Sequence, residues 1–163
     1  MFRVVITGAR DLPEPEIVWL PLWSVLHRHR AIIVCHGDAE SGADLFAHQW
    51  FELPGQAFNR QRLPNEPPVE YLAIEDRHPP DWTKGDYALK IRNQDMINEN
   101  PNAVFSFPTP SSQGTLDCAA RAWVRGIPVY VWHYLNLGQW RLMTDDEGER
   151  LARRKLAWGK VSR

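Results

Sequence analysis

Short apolar runs of strand length alternate along this chain with amphipathic segments of helix length, and this alternation restricts the available folds. Arg3–Gly8 (RVVITG) and Ala31–Gly37 (AIIVCHG) are both apolar, β-branched runs that end in glycine. Gly42–Leu53 (GADLFAHQWFEL), which follows the second run, has apolar residues at helical spacing. Strands that alternate with helices predict a parallel sheet with right-handed crossovers. We therefore expect a three-layer, Rossmann-like α/β fold with helices on both faces of the sheet.

The rest of the chain continues this alternation to about five strands. The further strands are predicted at residues 69–74, 102–107 and 127–132, and the further helices at 13–30, 88–100 and 115–126. Residues 76–87 are expected to form a loop, and Pro21 is expected to kink or split the first helix. The predicted domain covers residues 1–134. The charged tail, 135–163, predicts a helix that lies against the domain or a partner subunit.

The composition excludes several classes of protein. At 163 residues and 44% hydrophobic content the chain suits one core, and its net charge of −1 provides no basic field for nucleic acid. Cys35 and Cys118 lie in apolar contexts and form no disulfide framework, and the six histidines show no metal-ligand spacing. No apolar run reaches the roughly 18 residues of a membrane span. We expect a cytoplasmic protein without a metal or a cofactor.

Polar and glycine-rich loops follow the predicted strands, at the sheet edge where ligands of such folds bind. Glycine lets backbone N–H groups approach an anion, and a helix N-terminus adds partial positive charge. The residues that fit a phosphate or ribose site are Thr7, Gly8, Arg10, Ser41, Gly42, Ser111, Ser112, Gly114 and Thr115. Each loop alone is more typical of a helix cap than of a ligand site, whereas three such loops on one sheet edge make the two interpretations equally suitable.

Acidic residues and one arginine at this edge have two interpretations each. Asp38 and Asp44 are suited to accept hydrogen bonds from sugar hydroxyls, whereas Asp44 also suits the first turn of its helix. Arg92, followed by Asn93, is either a solvated helix residue or a bidentate phosphate ligand. The spacing does not decide between these alternatives.

Three familiar site motifs are absent from the sequence. There is no G-x-S-x-G nucleophile elbow and no Walker lysine after a glycine loop. The first loop, GARD, is not the G-x-G-x-x-G fingerprint of dinucleotide-binding dehydrogenases. Serine hydrolase, P-loop ATPase and ordinary NAD dehydrogenase chemistry are therefore disfavoured.

Four segments, in order, resemble the YspA-like branch of the SLOG superfamily, the Rossmann-like group that includes the Lonely Guy and DNA-processing A proteins. They are VVITGARDL, CHGDAESGADLFAHQW, PPDWTKGDYALKIRNQDM and SSQGTLDCAARAWVRGIPVYV. The branch's motifs correspond to Thr7, Gly8, Arg10, His36, Gly37, Ser41, Gly42, Ala43, Asp44, Ile91, Arg92, Asn93, Gly114 and Thr115. The resemblance implies a nucleotide-derived ligand, a sensor or processing role in bacterial and phage conflict systems, and a homodimer.

Two departures from the superfamily refine this expectation. Asp38 and Glu40 add negative charge to the second loop, which favours ribose contacts there over phosphate. The catalytic glutamate of the Lonely Guy enzymes falls on Cys118, and Asp117 would point about 100° away on a helix. This puts Lonely Guy chemistry in doubt.

Three functional hypotheses remain open from the sequence. The first is binding of a nucleotide-derived ligand. The second is an enzyme acting on an N-glycosidic bond, with Asp38, Asp44 or Asp117 as catalytic candidates. The third is single-stranded DNA binding through some of the eight tryptophans, which the net charge disfavours.

Overall fold

A computed structural model of the protein describes residues 1–53, 71–109, 112–133 and 139–156. Its centre is a six-stranded sheet with the order β3-β2-β1-β4-β5-β6. The strands are β1 (Phe2–Gly8), β2 (Ala31–His36), β3 (Leu72–Arg77), β4 (Ala103–Phe107), β5 (Val129–His133) and β6 (Gln139–Leu142). The first five strands are parallel, and β6 is antiparallel to β5. The predicted α/β class is confirmed, whereas the sixth strand was not predicted.

Helices cover both faces of the sheet. They are α1 (Glu16–His29), α2 (Ala43–Glu52), α3 (Ala88–Asn98), α4 (Gln113–Val124) and α5 (Asp145–Leu156), with a 3-10 helix at Trp82–Tyr87. On one face Leu22 of α1, Trp50 of α2 and Phe107 of β4 belong to one core. On the other face Ile97 of α3 and Cys118 of α4 belong to a second core. The central strands are apolar on both sides because both sides are covered.

The chain after β5 joins the sheet and the helical layer. β6 adds the sixth strand, and α5 starts with a capping box. In this box the Thr144 N–H donates to Glu147 Oε2 (3.1 Å) and the Glu147 N–H donates to Thr144 Oγ1 (3.3 Å). Gly148 allows α5 to approach α4, because a Cβ there would lie 2.2 Å from Trp123 Cδ1. The helix expected in the tail is α5.

Two predicted elements differ in the structure. α1 is not split at Pro21, because Val18, Leu22 and Leu26 stay buried on one face and outweigh one missing backbone hydrogen bond. β3 starts at Leu72 and runs to Arg77, so it takes in residues assigned to a loop. Its register with β2 explains this shift, since Ala31 pairs with Leu72 and His36 with Arg77.

Several expectations fall on residues outside the described part of the chain. They are the beginning of the predicted third strand (69–70), Ser111, the boundary between the predicted domain and the tail (134–138) and the end of the tail (157–163). Within the described ranges, no helix is long and apolar enough to cross a membrane.

The strand order fixes where a ligand would meet the sheet. β1 lies at the centre, with β2 on one side and β4 on the other. After β1 the chain builds β2 and β3 on one side, and it then crosses to β4 on the other. Strand order reverses between β1 and β4, so their carboxyl ends diverge into a crevice.

Candidate functional site

A cavity of about 1010 Å³ opens at the carboxyl ends of the strands, next to this crevice. The loops after β1, β2 and β3 and the first turns of α3 and α4 form its walls. The predicted residues that line it are Thr7, Gly8, Arg10, Gly37, Asp38, Ser41, Asp44, Arg92, Ser112, Gly114 and Thr115. Gly42 and Asn93 are not among the lining residues. Loops far apart in sequence therefore meet at one site.

The N-terminus of α4 forms one corner of the cavity. The first N–H groups of a helix have no intrahelical acceptor, and here the side chain of the N-cap residue, Ser112, does not cap them. The hydroxyl of Ser112 instead accepts from the Thr109 N–H at 2.8 Å. The space in front of Gly114 is open, since a Cβ there would have no atom within 4 Å. Exposed Arg10 also lines the cavity, so the lining holds a cation as well as these N–H donors.

Arg92 reaches across the cavity from α3 to the loop after β2. Its Nη1 donates to the Gly37 carbonyl at 2.6 Å and lies 3.5 Å from Asp44 Oδ2. A side chain at position 37 would collide with it, since a Cβ would lie 1.6 Å from that Nη1. Burial raises the pKa of the Asp44 carboxyl, and the Arg92 charge opposes this shift. Arg92 therefore ties α3 to the β2 loop in a partly desolvated position.

Asn93 holds Arg92 rather than entering the cavity. Its Oδ1 accepts from Arg92 Nε at 3.2 Å, and its amide nitrogen donates to Asp117 Oδ2 at 2.9 Å. Arg121 donates to both oxygens of Asp117, at 2.8 and 3.1 Å. Asp117 is buried and does not line the cavity. Its contacts give it a role in pinning α3 to α4.

Asp38 already has a partner in the structure. Arg77, the last residue of β3, donates to Asp38 Oδ1 through Nε at 2.8 Å and through Nη2 at 2.5 Å. The backbone of Asp38 has a φ of 55°, and its N–H donates to His36 Nδ1 at 3.2 Å. Nε2 of the fully buried His36 lies 2.9 Å from Glu75 Oε1. Glu75, His36 and Arg77 thus fix the turn that carries Asp38.

Gly42 shapes the site through the backbone. Its φ of 68° and ψ of −141° suit glycine, and a Cβ there would lie 2.0 Å from the Ala9 carbonyl oxygen. The next N–H, of Ala43, donates to that oxygen at 3.2 Å. The Ala9 N–H in turn donates to the Phe107 carbonyl at 3.0 Å. These bonds join the ends of β1 and β4 to the start of α2.

Cys118 occupies the position of the Lonely Guy glutamate but lies in the core. The side chain is fully buried, and burial raises the pKa of its thiol to about 12. Such a thiol stays protonated at neutral pH and does not replace a carboxylate. Neither Cys118 nor Asp117 therefore offers an ionised group to the cavity.

One aromatic residue that lines the cavity, Trp82, was not predicted as a site residue from the sequence. Trp82 begins the 3-10 helix, is 64% exposed and lies on the cavity wall with Pro79, Pro80 and Leu89. The motif PPDW was part of the resemblance, but no periodicity separates a wall tryptophan from a core one. By contrast, Trp23 and Trp50 pack edge to face at 5.2 Å in the core.

The cavity lining carries charges of both signs. Asp38, Glu40 and Asp44 belong to the loop after β2 and the start of α2. Arg10 follows β1, and its Cα lies next to Gly42, whereas the carboxylate of Asp11 accepts from Thr109 Oγ1 at 3.4 Å. The arrangement suits a ligand with an anionic end and a hydroxyl-rich end.

Comparisons with known proteins give two matches. Residues 2–52 match the model of a family described as YspA, cpYpsA-related SLOG. The chain is also similar to the Gene 61 protein of Mycobacterium phage D29, with 33% identity over 132 residues, 79% of this chain and 94% of the phage protein. No solved structure matches. The family match includes β1, β2 and α2, and with them two of the loops around the cavity.

Proposed function

This chain belongs to the YspA, cpYpsA-related SLOG family, and on that premise we propose that its cavity binds a nucleotide or a nucleotide-derived ligand. Membership of the family suggests a nucleotide-related function. The observation that carries the proposal is that one cavity brings together the N-terminus of α4, Arg10 and the carboxylates of the loop after β2.

The phosphate would bind at the start of α4. The helix dipole and the N–H groups that Ser112 does not cap favour an anion there, and the space in front of Gly114 is open. Arg10 would supply a guanidinium, which binds phosphate oxygens in pairs. The start of α2 is a poorer phosphate site, because the Ala43 N–H is already bonded and Asp44 adds negative charge.

The sugar would face the loop after β2. Ser41 and Asp44 line the cavity at this loop. The Asp44 carboxylate is suited to accept hydrogen bonds from ribose hydroxyls, as acidic residues do in dinucleotide-binding folds. Arg92 would act mainly by holding the Gly37 carbonyl and Asp44, rather than by a phosphate contact. The base would then reach the wall of Trp82, whose exposed indole is suited to stacking.

Calorimetric titration with AMP, ADP-ribose, NAD, a cyclic nucleotide and adenosine tests the proposal. Arg10→Gln is expected to weaken binding of the phosphorylated ligands about tenfold, because it removes a charge-assisted hydrogen bond. The affinity for adenosine, which has no phosphate, should stay unchanged. Arg28→Gln is the matched control, because Arg28 is exposed in the last turn of α1, and α1 ends at the opposite sheet edge. Absence of binding for every ligand at millimolar concentration would reject the proposal.

Hydrolysis or transfer at an N-glycosidic bond is a second candidate, and one observation favours it. Asp44 is a buried carboxyl in the cavity wall with a raised pKa, a property of many general acids. Incubation with nucleoside monophosphates, followed by chromatography for free base, tests this candidate. Base release that is lost in Asp44→Asn supports it, whereas binding without release leaves the sensor function.

A further inference from the structure

Three side chains with metal-ligating atoms converge at the junction of β2 and β3. Cys35 and Asp76 are register partners on these adjacent strands. His78 lies two residues beyond Asp76, and its N–H continues the ladder by donating to the His36 carbonyl at 2.9 Å. Because side chains alternate along a strand, His78 faces the same side as Asp76. One ligand atom from each of the three lies within 4.8 Å of the other two.

The Nε2 atom of His78 is buried and faces the Asp76 carboxylate. It makes no hydrogen bond within the described part of the chain, and it lies 3.3 Å from Asp76 Oδ1. Two ligand atoms at 2.0–2.1 Å from one tetrahedral zinc ion lie about 3.3 Å apart. The nitrogen and the oxygen are thus spaced as ligands of a common ion.

The carboxylate of Asp76 is oriented by a neighbour. Arg3 binds its Oδ2, which leaves Oδ1 toward His78. Carboxylates that bind metals are themselves hydrogen-bonded by outer partners, and Arg3 is such a partner here. The Asp76 and His78 side chains are 31% and 19% exposed, so solvent reaches the cluster, whereas Cys35 is fully buried.

We propose that Cys35, Asp76 and His78 bind a zinc ion, with water as the fourth ligand. A thiolate, an imidazole and a carboxylate together favour Zn²⁺ over Mg²⁺ or Ca²⁺, which prefer oxygen ligands only. The thiol proton of Cys35 leaves to solvent when the thiolate binds the ion. His78 directly precedes Pro79 and Pro80 in the cavity wall, so the ion would fix the loop after β3. Sequence spacing gave no sign of this site, because strand register brings its ligands together.

Cobalt substitution of the full-length, chelator-treated protein tests the proposal. We expect one Co²⁺ per chain with a thiolate-to-cobalt charge-transfer band, and we expect Zn²⁺ to displace it. Cys35→Ala should lose the band, whereas Cys118→Ala, which truncates an equally buried cysteine outside the cluster, should keep it. Zinc should raise the melting temperature of the wild type and of Cys118→Ala only.

His78→Ala keeps the test decisive if Cys35→Ala does not fold. His78 is partly exposed, so the variant should retain the wild-type far-ultraviolet circular dichroism and bind Zn²⁺ at least tenfold more weakly. Absence of stoichiometric metal in the wild type would overturn the proposal. Unchanged affinity in folded His78→Ala, or a thiolate band that persists in Cys35→Ala, would overturn it as well.

Discussion

Replacing Arg92 with glutamine removes the cation that faces the buried carboxylate of Asp44. The two side chains are only 13% and 10% exposed, and Nη1 and Oδ2 lie 3.5 Å apart. The change also removes the 2.6 Å hydrogen bond to the Gly37 carbonyl. Asp44 keeps the Ala39 N–H as a donor at 3.3 Å. The expected result is a large, pH-dependent loss of folding free energy.

The electrostatic part of this loss cannot exceed the free energy needed to protonate Asp44, because a neutral carboxyl no longer needs the Arg92 charge. At 1.36 kcal/mol per pH unit and an ordinary pKa of 3.8, neutralising the carboxyl costs about 5 kcal/mol at pH 7.5. At pH 5.0 the same step costs only about 1.6 kcal/mol. The lost hydrogen bond adds about 1–3 kcal/mol at either pH. We expect a total loss of about 3–5 kcal/mol at pH 7.5, in the range for broken buried ion pairs.

The sign of the pH dependence follows from the raised pKa of Asp44. Burial already raises this pKa, and removing Arg92 removes the charge that opposes the shift. A carboxyl with a raised pKa in the folded state destabilises the fold when it is ionised, and the penalty disappears as it takes up a proton. The deficit of Arg92→Gln relative to the wild type should therefore shrink by at least about 1 kcal/mol at pH 5.0.

Urea denaturation at the two pH values measures this effect. Arg153→Gln is the control, because the ion pair between Arg153 and Glu149 is exposed and such pairs contribute under about 1 kcal/mol. Adding Asp44→Asn to Arg92→Gln should restore part of the loss at pH 7.5, since no buried carboxylate remains. A loss below about 1 kcal/mol in Arg92→Gln, equal at both pH values, would refute this reasoning.

Three further predictions follow from local geometry. Gly8→Ala should lower the free energy of unfolding by about 1–3 kcal/mol in the same urea assay, because the new Cβ would lie 2.5 Å from Ala43 Cβ and 2.9 Å from Phe107 Cβ. At Gly114 a Cβ would meet no atom within 4 Å, so Gly114→Ala should stabilise α4 by up to about 1 kcal/mol. Arg141 holds the pKa of Glu147 at about 2, so the stability that this carboxylate supplies is present above pH 4.5 and lost as pH falls toward 2. The stability difference between wild type and Glu147→Gln should accordingly narrow on acidification, and a constant difference would contradict the assignment. Trp82→Ala should weaken nucleotide binding by about 5- to 100-fold in calorimetry without a change in melting temperature, because the indole is exposed.

The sequence predicted those parts of the site that depend on local pattern. Apolar runs that end in glycine located the carboxyl ends of β1 and β2, and the serine and glycine residues before the predicted helix at 115–126 located the start of α4 within two residues. The alternation of strands and helices then implied that these loops share one edge. Strand positions and this shared edge were therefore enough to predict that Arg10, Ser41 and Gly114 lie around one cavity.

Contacts that depend on register could not be predicted. The pairing of β2 with β3 brings Arg77 to Asp38 and Asp76 to Cys35, and neither pair has a sequence spacing that identifies it. The helical rotation of about 100° per residue separates Arg92 from Asn93, so one lines the cavity and the other faces α4. β6 was missed because four residues are too few to show a periodicity.

A crystal structure of the protein soaked with a nucleotide mixture tests the central claim most directly. The account predicts phosphate density at the start of α4 beside Arg10, with the sugar toward Ser41 and Asp44 and the base toward Trp82. Ligand density elsewhere on the protein, with the cavity between β1 and α4 free of nucleotide, would contradict it.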